Sequence, residues 1–213
     1  MKVVIKKLDE SPFSLRDVYE FIRIVYADRK AEGINFWLSI CSFEEYETKV
    51  KKDKKIVFVA CEETGKALLG TAALTIHKKR KMVYGGMTGC AVKNDLQNMH
   101  IGSRLIDELK KKAIEEDCEY LKSTTAVNAI SSVRWHLKNG YLKCGLGSGA
   151  KSNYYSYIFI MPLKNTNSFY YKFGYKIAYV FSCLKTKSIL KENGKLTWFG
   201  KLLKKIKKND FNK

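Results

Sequence analysis

The period of the apolar pattern changes repeatedly along this chain, and each change marks an element. Residues 2–8 read as a short strand. Ser14-Leu15-Arg16-Asp17 sets a hydroxyl three residues before a carboxylate, a capping arrangement, and Val18, Phe21, Ile22 and Val25 follow at helical spacing. That spacing predicts a helix burying one face. Gly33 interrupts, Ile34-Asn35-Phe36-Trp37 forms an apolar connection, and Ser42-Phe43-Glu44-Glu45 opens a second, short and charged helix. Residues 56–61 and 68–76 read as strands joined by a turn around Gly65, and residues 82–92 as a third.

Leu105, Ile106, Leu109, Ala113 and Ile114 give the next helix an apolar face, with Lys110, Lys111, Lys112, Glu115 and Glu116 outside it. Residues 120–127 form a strand, residues 131–139 a helix stopped by Gly140, and residues 141–144 and 154–163 two closing strands. The connection between those strands carries Gly145, Gly147 and Gly149. This order predicts an α/β (α+β) domain over residues 1–163, with a mixed, mostly antiparallel central sheet flanked by helices. From residue 164 onward the pattern is different. Phe169, Tyr170, Tyr171, Phe173, Tyr175, Tyr179 and Phe181 are interleaved with Lys172 and Lys176, and Trp198, Leu202, Leu203 and Ile206 share one helical face among lysines. Residues 164–213 therefore read as a helical extension, either two helices or one broken at Asn193-Gly194.

A length of 213 residues suits one main domain whose core needs no disulfide. The six cysteines lie far apart, with no Cys-x-x-Cys pair and no histidine at metal spacing, so neither a zinc site nor a disulfide framework is suggested. The segment Met1-Lys2-Val3-Val4-Ile5-Lys6-Lys7 is too charged for a signal peptide, and no apolar run approaches the length of a membrane span. The expected setting is the cytoplasm. Charge alters the picture most: of a net +19, the last 50 residues, with 13 lysines, no arginine and two acidic residues, carry +11. Such a tail attracts polyanions, either an anionic membrane surface or RNA.

The segment from Cys90 to Tyr141 carries the chemistry. An apolar run ending at Val92 enters a loop whose last residues open an amphipathic helix, so several free backbone N–H groups point one way at its start. Such a place holds phosphate. This loop, with the helix, strand and second helix after it, resembles the acetyl-coenzyme A site of the GNAT superfamily of N-acetyltransferases. That family's loop pattern is Arg or Gln, two free positions, Gly, one free position, then Gly or Ala. Gln97, His100 and Gly102 occupy its fixed places, with His100 where glycine is usual. A Cβ at that place is expected to crowd the pyrophosphate or oppose a positive φ. The second signature, an Asn after the next strand and a Tyr four residues before Gly-Phe, reads here as Asn128, His136 and Gly140-Tyr141.

The resemblance implies that acetyl-CoA is the acyl donor, with no metal. The backbone of Gln97, Asn98, Met99, His100, Ile101, Gly102 and Ser103 would bind pyrophosphate, with Arg104 and Lys93 adding charge. Cys90, Ala91 and Val92 would pair with the pantetheine arm, and Asn128 and Ser131 would lie beside it. An imidazole can return a proton to a departing thiolate, so His136 is a catalytic candidate, together with Tyr154; Tyr141 and Tyr155 are alternative phenols. No base is evident: residues 84–92 contain no Asp, Glu or His, where many relatives use a carboxylate. The run from His77 to Lys81 reads as a solvated turn. The leading expectation is acetyl transfer from acetyl-CoA to an amine of a small molecule or protein. The alternative is a GNAT-fold module that binds CoA or a polyanion without transfer. For the tail, the plainest expectation is a helix packing its aromatics on the domain. Peripheral contact with the inner membrane face is a second reading, nucleic acid ranks below it, and a homodimer is a further candidate assembly.

Overall fold

The computed structural model describes residues 2–27, 41–79, 82–127, 129–148, 155–164, 169–189, 191–192 and 195–196. Strand β1 (Val3–Lys7) leads to helix α1 (Leu15–Val25), which starts at a capping box. The Asp17 N–H donates to Ser14 Oγ at 3.2 Å and the Ser14 N–H to Asp17 Oδ2 at 2.7 Å, so two donors that the helix cannot satisfy find partners. Helix α2 (Phe43–Lys52) starts in the same way on Ser42 and Glu45. Three strands follow, β2 (Ile56–Glu62), β3 (Leu68–Lys79) and β4 (Met82–Val92). Next come helix α3 (Ile101–Glu115), strand β5 (Tyr120–Ala126), helix α4 (Ile130–Lys138) and strands β6 (Leu142–Ser148) and β7 (Tyr155–Pro162).

The seven strands form one sheet in the order β1-β2-β3-β4-β5-β7-β6. Every neighbouring pair is antiparallel except β4 and β5, which are parallel. Period-two alternation divides the core between the two faces. On one face Leu105, Ile106 and Leu109 of α3 pack against Leu74, Met87, Leu121 and Phe159. On the other, Val18, Tyr19 and Ile22 of α1 and Tyr46 of α2 pack against Val57, Val59, Ala73 and Ala91. Each of the fully buried aliphatic side chains contributes roughly 1.5–3 kcal/mol.

Three elements depart from the sequence reading. β6, expected over residues 141–144, runs on to Ser148 and takes in Gly145 and Gly147, which were expected in the connection. β3 runs on to Lys79 and β4 starts at Met82, so His77 lies within the hairpin and not in a turn. In the extension, helix α5 (Phe169–Ile189) is followed by the two-residue strands β8 (Lys191–Glu192) and β9 (Lys195–Leu196), paired antiparallel. The second predicted helical face, Trp198 to Ile206, lies outside the described residues. α5 packs along β6, the edge strand. Ser182 Oγ donates to the Leu146 carbonyl at 2.9 Å and accepts from the Leu146 N–H at 2.9 Å, satisfying the outward groups of Leu146 on that edge. Phe173, Ile177, Val180 and Phe181 of α5 stay exposed. No described helix is long and apolar enough to cross a membrane.

Candidate active site

Parallel strands β4 and β5 share three rungs: Tyr84 with Tyr120, Gly85 with Leu121 and Gly86 with Lys122. Beyond them β4 continues to Val92 and β5 to Ala126 without pairing to each other, so the sheet opens into a wedge with its apex at Gly86 and Lys122. A bulge bends β4 away. Ala73 faces Thr88 while Thr71 faces Ala91, which places an extra residue on β4, and Gly89 there takes φ +62°. A bulge re-aims the backbone groups of its strand, and glycine adopts that angle without a Cβ penalty. Tyr26, just after α1, anchors this limb by donating its hydroxyl to the Cys90 carbonyl at 2.8 Å.

Cys90, Ala91 and Val92 all lie on the free limb. Ala91 is buried toward α1, while Cys90 and Val92 pack toward the α3 side. Burial pushes the Cys90 thiol up to about 12, so it stays protonated at neutral pH. The chain then passes through a short turn, Asn94–Leu96, into the predicted anion loop, which Gln97 braces by donating from Nε2 to Asn94 Oδ1 at 3.0 Å. Asn98 has φ +75° and His100 has φ +60°. The imidazole-bearing residue thus adopts the left-handed angle that its Cβ was expected to oppose; His and Asn are among the non-glycine residues that tolerate it best. The first turn of α3 closes with the Arg104 N–H on the His100 carbonyl at 3.0 Å. The N–H groups of Ile101, Gly102 and Ser103 precede it and have no partner within the helix, at its electropositive end. The residues present therefore suit a pyrophosphate.

Other predicted residues are placed differently. Arg104 turns its guanidinium to the Val3 carbonyl at 2.9 Å, toward β1, and Lys93 pairs with Asp95 at 3.2 Å. Gly102 serves packing: a Cβ there would lie 3.1 Å from Trp135 Nε1, so the glycine lets α4 approach α3. Met99 and Ser131 are exposed. Asn128 and Tyr154 lie outside the described residues, as does the side chain of Tyr155.

His136 is built into the core beneath the wedge, 4 % exposed. Its ring stacks on Phe159 at 4.6 Å and meets Tyr141 edge-on at 5.1 Å. Nδ1 lies 2.7 Å from the Ser132 carbonyl and Nε2 2.9 Å from Ser123 Oγ. A carbonyl only accepts, so Nδ1 carries the proton and Nε2 of the neutral ring accepts from the Ser123 hydroxyl. Burial holds the imidazole below its ordinary basicity, against a smaller opposing effect of the Ser132 carbonyl. In this state His136 orients Ser123, the first β5 residue past the last rung, and offers no proton at Nε2. Tyr141 is also buried, and its hydroxyl donates to Met87 Sδ at 3.4 Å.

The opposite face of the wedge holds residues that sequence reasoning missed. Lys55, just before β2, donates from Nζ to Thr88 Oγ1 at 3.2 Å, and burial lowers its basicity. His77 stacks on Tyr84 at 4.8 Å, and Tyr84 on Tyr120 at 5.1 Å, in a row across β3, β4 and β5. Residues 79 and 82 pair across the hairpin, which sets 77 opposite 84.

The fold is similar to that of known proteins. The family model described as "Acetyltransferase (GNAT) family" matches residues 21–141, more than half of the chain. A probable acetyltransferase from Staphylococcus epidermidis is similar in structure at a TM-score of 0.62 and 18% identity, over 76% of this chain and 99% of that one. A chain of the NatC complex, solved bound to Gag peptide and CoA, gives a TM-score of 0.62 at 15% identity, covering 77% and 100%. FeeM, an N-acyl amino acid synthase from uncultured soil microbes, gives 0.59 at 13% identity, covering 86% and 98%. At such identities these likenesses show the fold alone. No curated protein matches the chain by sequence. With the wedge, the bulged β4 and the loop onto α3 all inside the matched segment, the chain belongs to the GNAT family of acetyltransferases.

Proposed function

We propose that this protein is an N-acetyltransferase that moves an acetyl group from acetyl-CoA directly to an amine. One observation carries the reading: β4 and β5 separate after three rungs, and the free limb of β4 leads into the loop at the N-terminus of α3. A pantetheine arm lying along that limb would take the place of a strand, the N–H groups of Ile101, Gly102 and Ser103 would meet the pyrophosphate, and a bulge N–H near Cys90 or Ala91 would face the thioester oxygen. Direct transfer is favoured over an acyl-cysteine because the Cys90 thiol in the wedge is held protonated by burial. His136 is assigned a positioning role, fixing Ser123 Oγ at the floor of the wedge. Calorimetric titration with acetyl-CoA tests the reading. A dissociation constant between about 1 μM and 1 mM is expected, the range in which enzymes meet their substrates; no binding at millimolar ligand would refute it.

A further inference from the structure

Gly86 is the last residue of β4 that pairs with β5, and by register it lies on the face of the sheet that packs on α1 and α2. That face is opposite the one on which α3 packs, and Thr88 and Thr124 flank the opening there as exposed residues. β4 presents no carboxylate, imidazole or amine along its whole length. The space above Gly86 is nevertheless filled. A Cβ built on Gly86 would lie 2.9 Å from His77 Nε2 and 3.2 Å from its Cδ2. The imidazole edge of a β3 residue therefore sits where a β4 side chain would sit, at the apex of the wedge and four residues before Cys90. Its orientation is set by stacking: the ring lies 20° from the plane of Tyr84, which lies 10° from that of Tyr120. The titratable groups sharing the face by register are the phenols of Tyr84 and Tyr120 and the ammonium groups of Lys122 and, through Thr88, Lys55.

We propose that His77 is the proton acceptor for the incoming amine, its imidazole supplied from β3 in place of a side chain that β4 lacks at Gly86. This rests on the acetyltransferase reading above. An ammonium group, R–NH3⁺, gives one proton to His77 Nε2, directly or through one water. The freed nitrogen lone pair forms the C–N bond to the thioester carbon. The C–S bond breaks with its electron pair on sulfur, a second proton from the same nitrogen neutralises the thiolate, and His77 returns the first to solvent. The balance is one amide, one CoA thiol and one released proton, with no change of oxidation state.

The test uses the full chain, acetyl-CoA and a panel of primary amines (spermidine, an aminoglycoside and short peptides with a free N-terminus), with water as acceptor in their absence. Thiol release is followed against pH. His77→Gln and His77→Ala should keep the acetyl-CoA dissociation constant within about twofold. They should lose about 100-fold in kcat/KM, at the lower end of what a positioned base supplies, together with the dependence of rate on pH that the wild type shows. The double variant His77→Ala with Gly86→Glu should recover at least about tenfold, with its rise moved to lower pH, because a carboxylate now occupies the same space. Wild-type rate and pH profile in His77→Gln overturn the proposal. So does a loss that is uniform at every pH, or a wild-type protein that binds acetyl-CoA yet releases no thiol above background with any acceptor. Failure of the wild-type protein to bind acetyl-CoA overturns the acetyltransferase reading instead.

Discussion

His100 is the loop residue at which conformation and ligand binding can be separated. It holds φ +60° and ψ 8° directly before α3, with no side-chain cap. A left-handed residue costs about 1–2 kcal/mol for an L-amino acid, with His near the lower end. Glycine removes that strain but adds roughly 0.5–1 kcal/mol of unfolded-state entropy. The two nearly cancel, so His100→Gly should melt close to the wild-type temperature. Because the loop already holds its shape with His present, acetyl-CoA affinity should also stay within about threefold. His100→Val differs: a β-branched residue at positive φ is a strong outlier, and an additional cost of about 1.4 kcal/mol or more corresponds to at least tenfold weaker binding. Calorimetric titration of the three proteins, with melting curves alongside, checks both numbers. A tenfold gain in His100→Gly would show that the Cβ crowds the phosphates, and unchanged binding in His100→Val would show that binding does not need the left-handed angle.

Three further outcomes are expected. Tyr26→Phe removes the donor to the Cys90 carbonyl, which should cost about 1 kcal/mol by denaturant melting and slow transfer by loosening the bulge; unchanged stability and rate would remove Tyr26 from the site. Ser182→Ala removes the hydroxyl that bridges the Leu146 N–H and carbonyl on the β6 edge, so hydrogen exchange at that amide should speed up and stability fall by about 1–2 kcal/mol. His136 is neutral and buried, with basicity lowered in the fold, so the unfolded chain takes up the proton first as pH falls. Its contribution is complete above the ordinary imidazole range and is lost on acidification, and melting between about pH 7 and pH 5 should fall more steeply in the wild type than in His136→Gln; equal slopes would exclude it.

Features determined by near neighbours were legible in the sequence. Ser14 with Asp17 and Ser42 with Glu45 sit three residues apart, and both capping boxes form. Of the predicted stripe, Leu105, Ile106, Leu109 and Ala113 form the buried face of α3, while Ile114 is exposed. Features that depended on distant partners were not. His136 reads as a catalytic proton donor until Ser123 and Phe159 close over it from two other elements. Arg104 reads as a phosphate contact, but β1 offers it a carbonyl 101 residues earlier in the chain. The charged run around His77 suggests a turn because the count of residues between apolar positions does not reveal how far a hairpin ladder extends. The bulge at Gly89 is a mismatch between two strands and has no signature on one of them.

The three-rung contact between β4 and β5 acts as a gauge of molecular cross-section. A gap that starts at ordinary inter-strand spacing, about 4.8 Å, admits something as thin as an extended chain and stops anything ring-shaped at its narrow end. A linear molecule with a bulky, anionic head can enter in one orientation only, thin end first, with its head left at the wide mouth. The reactive end of such a molecule is then delivered to a fixed depth by the spacing of backbone atoms alone. That explains how side chains along the loop can vary as far as His100 without the cleft losing its ability to sort one end of a ligand from the other.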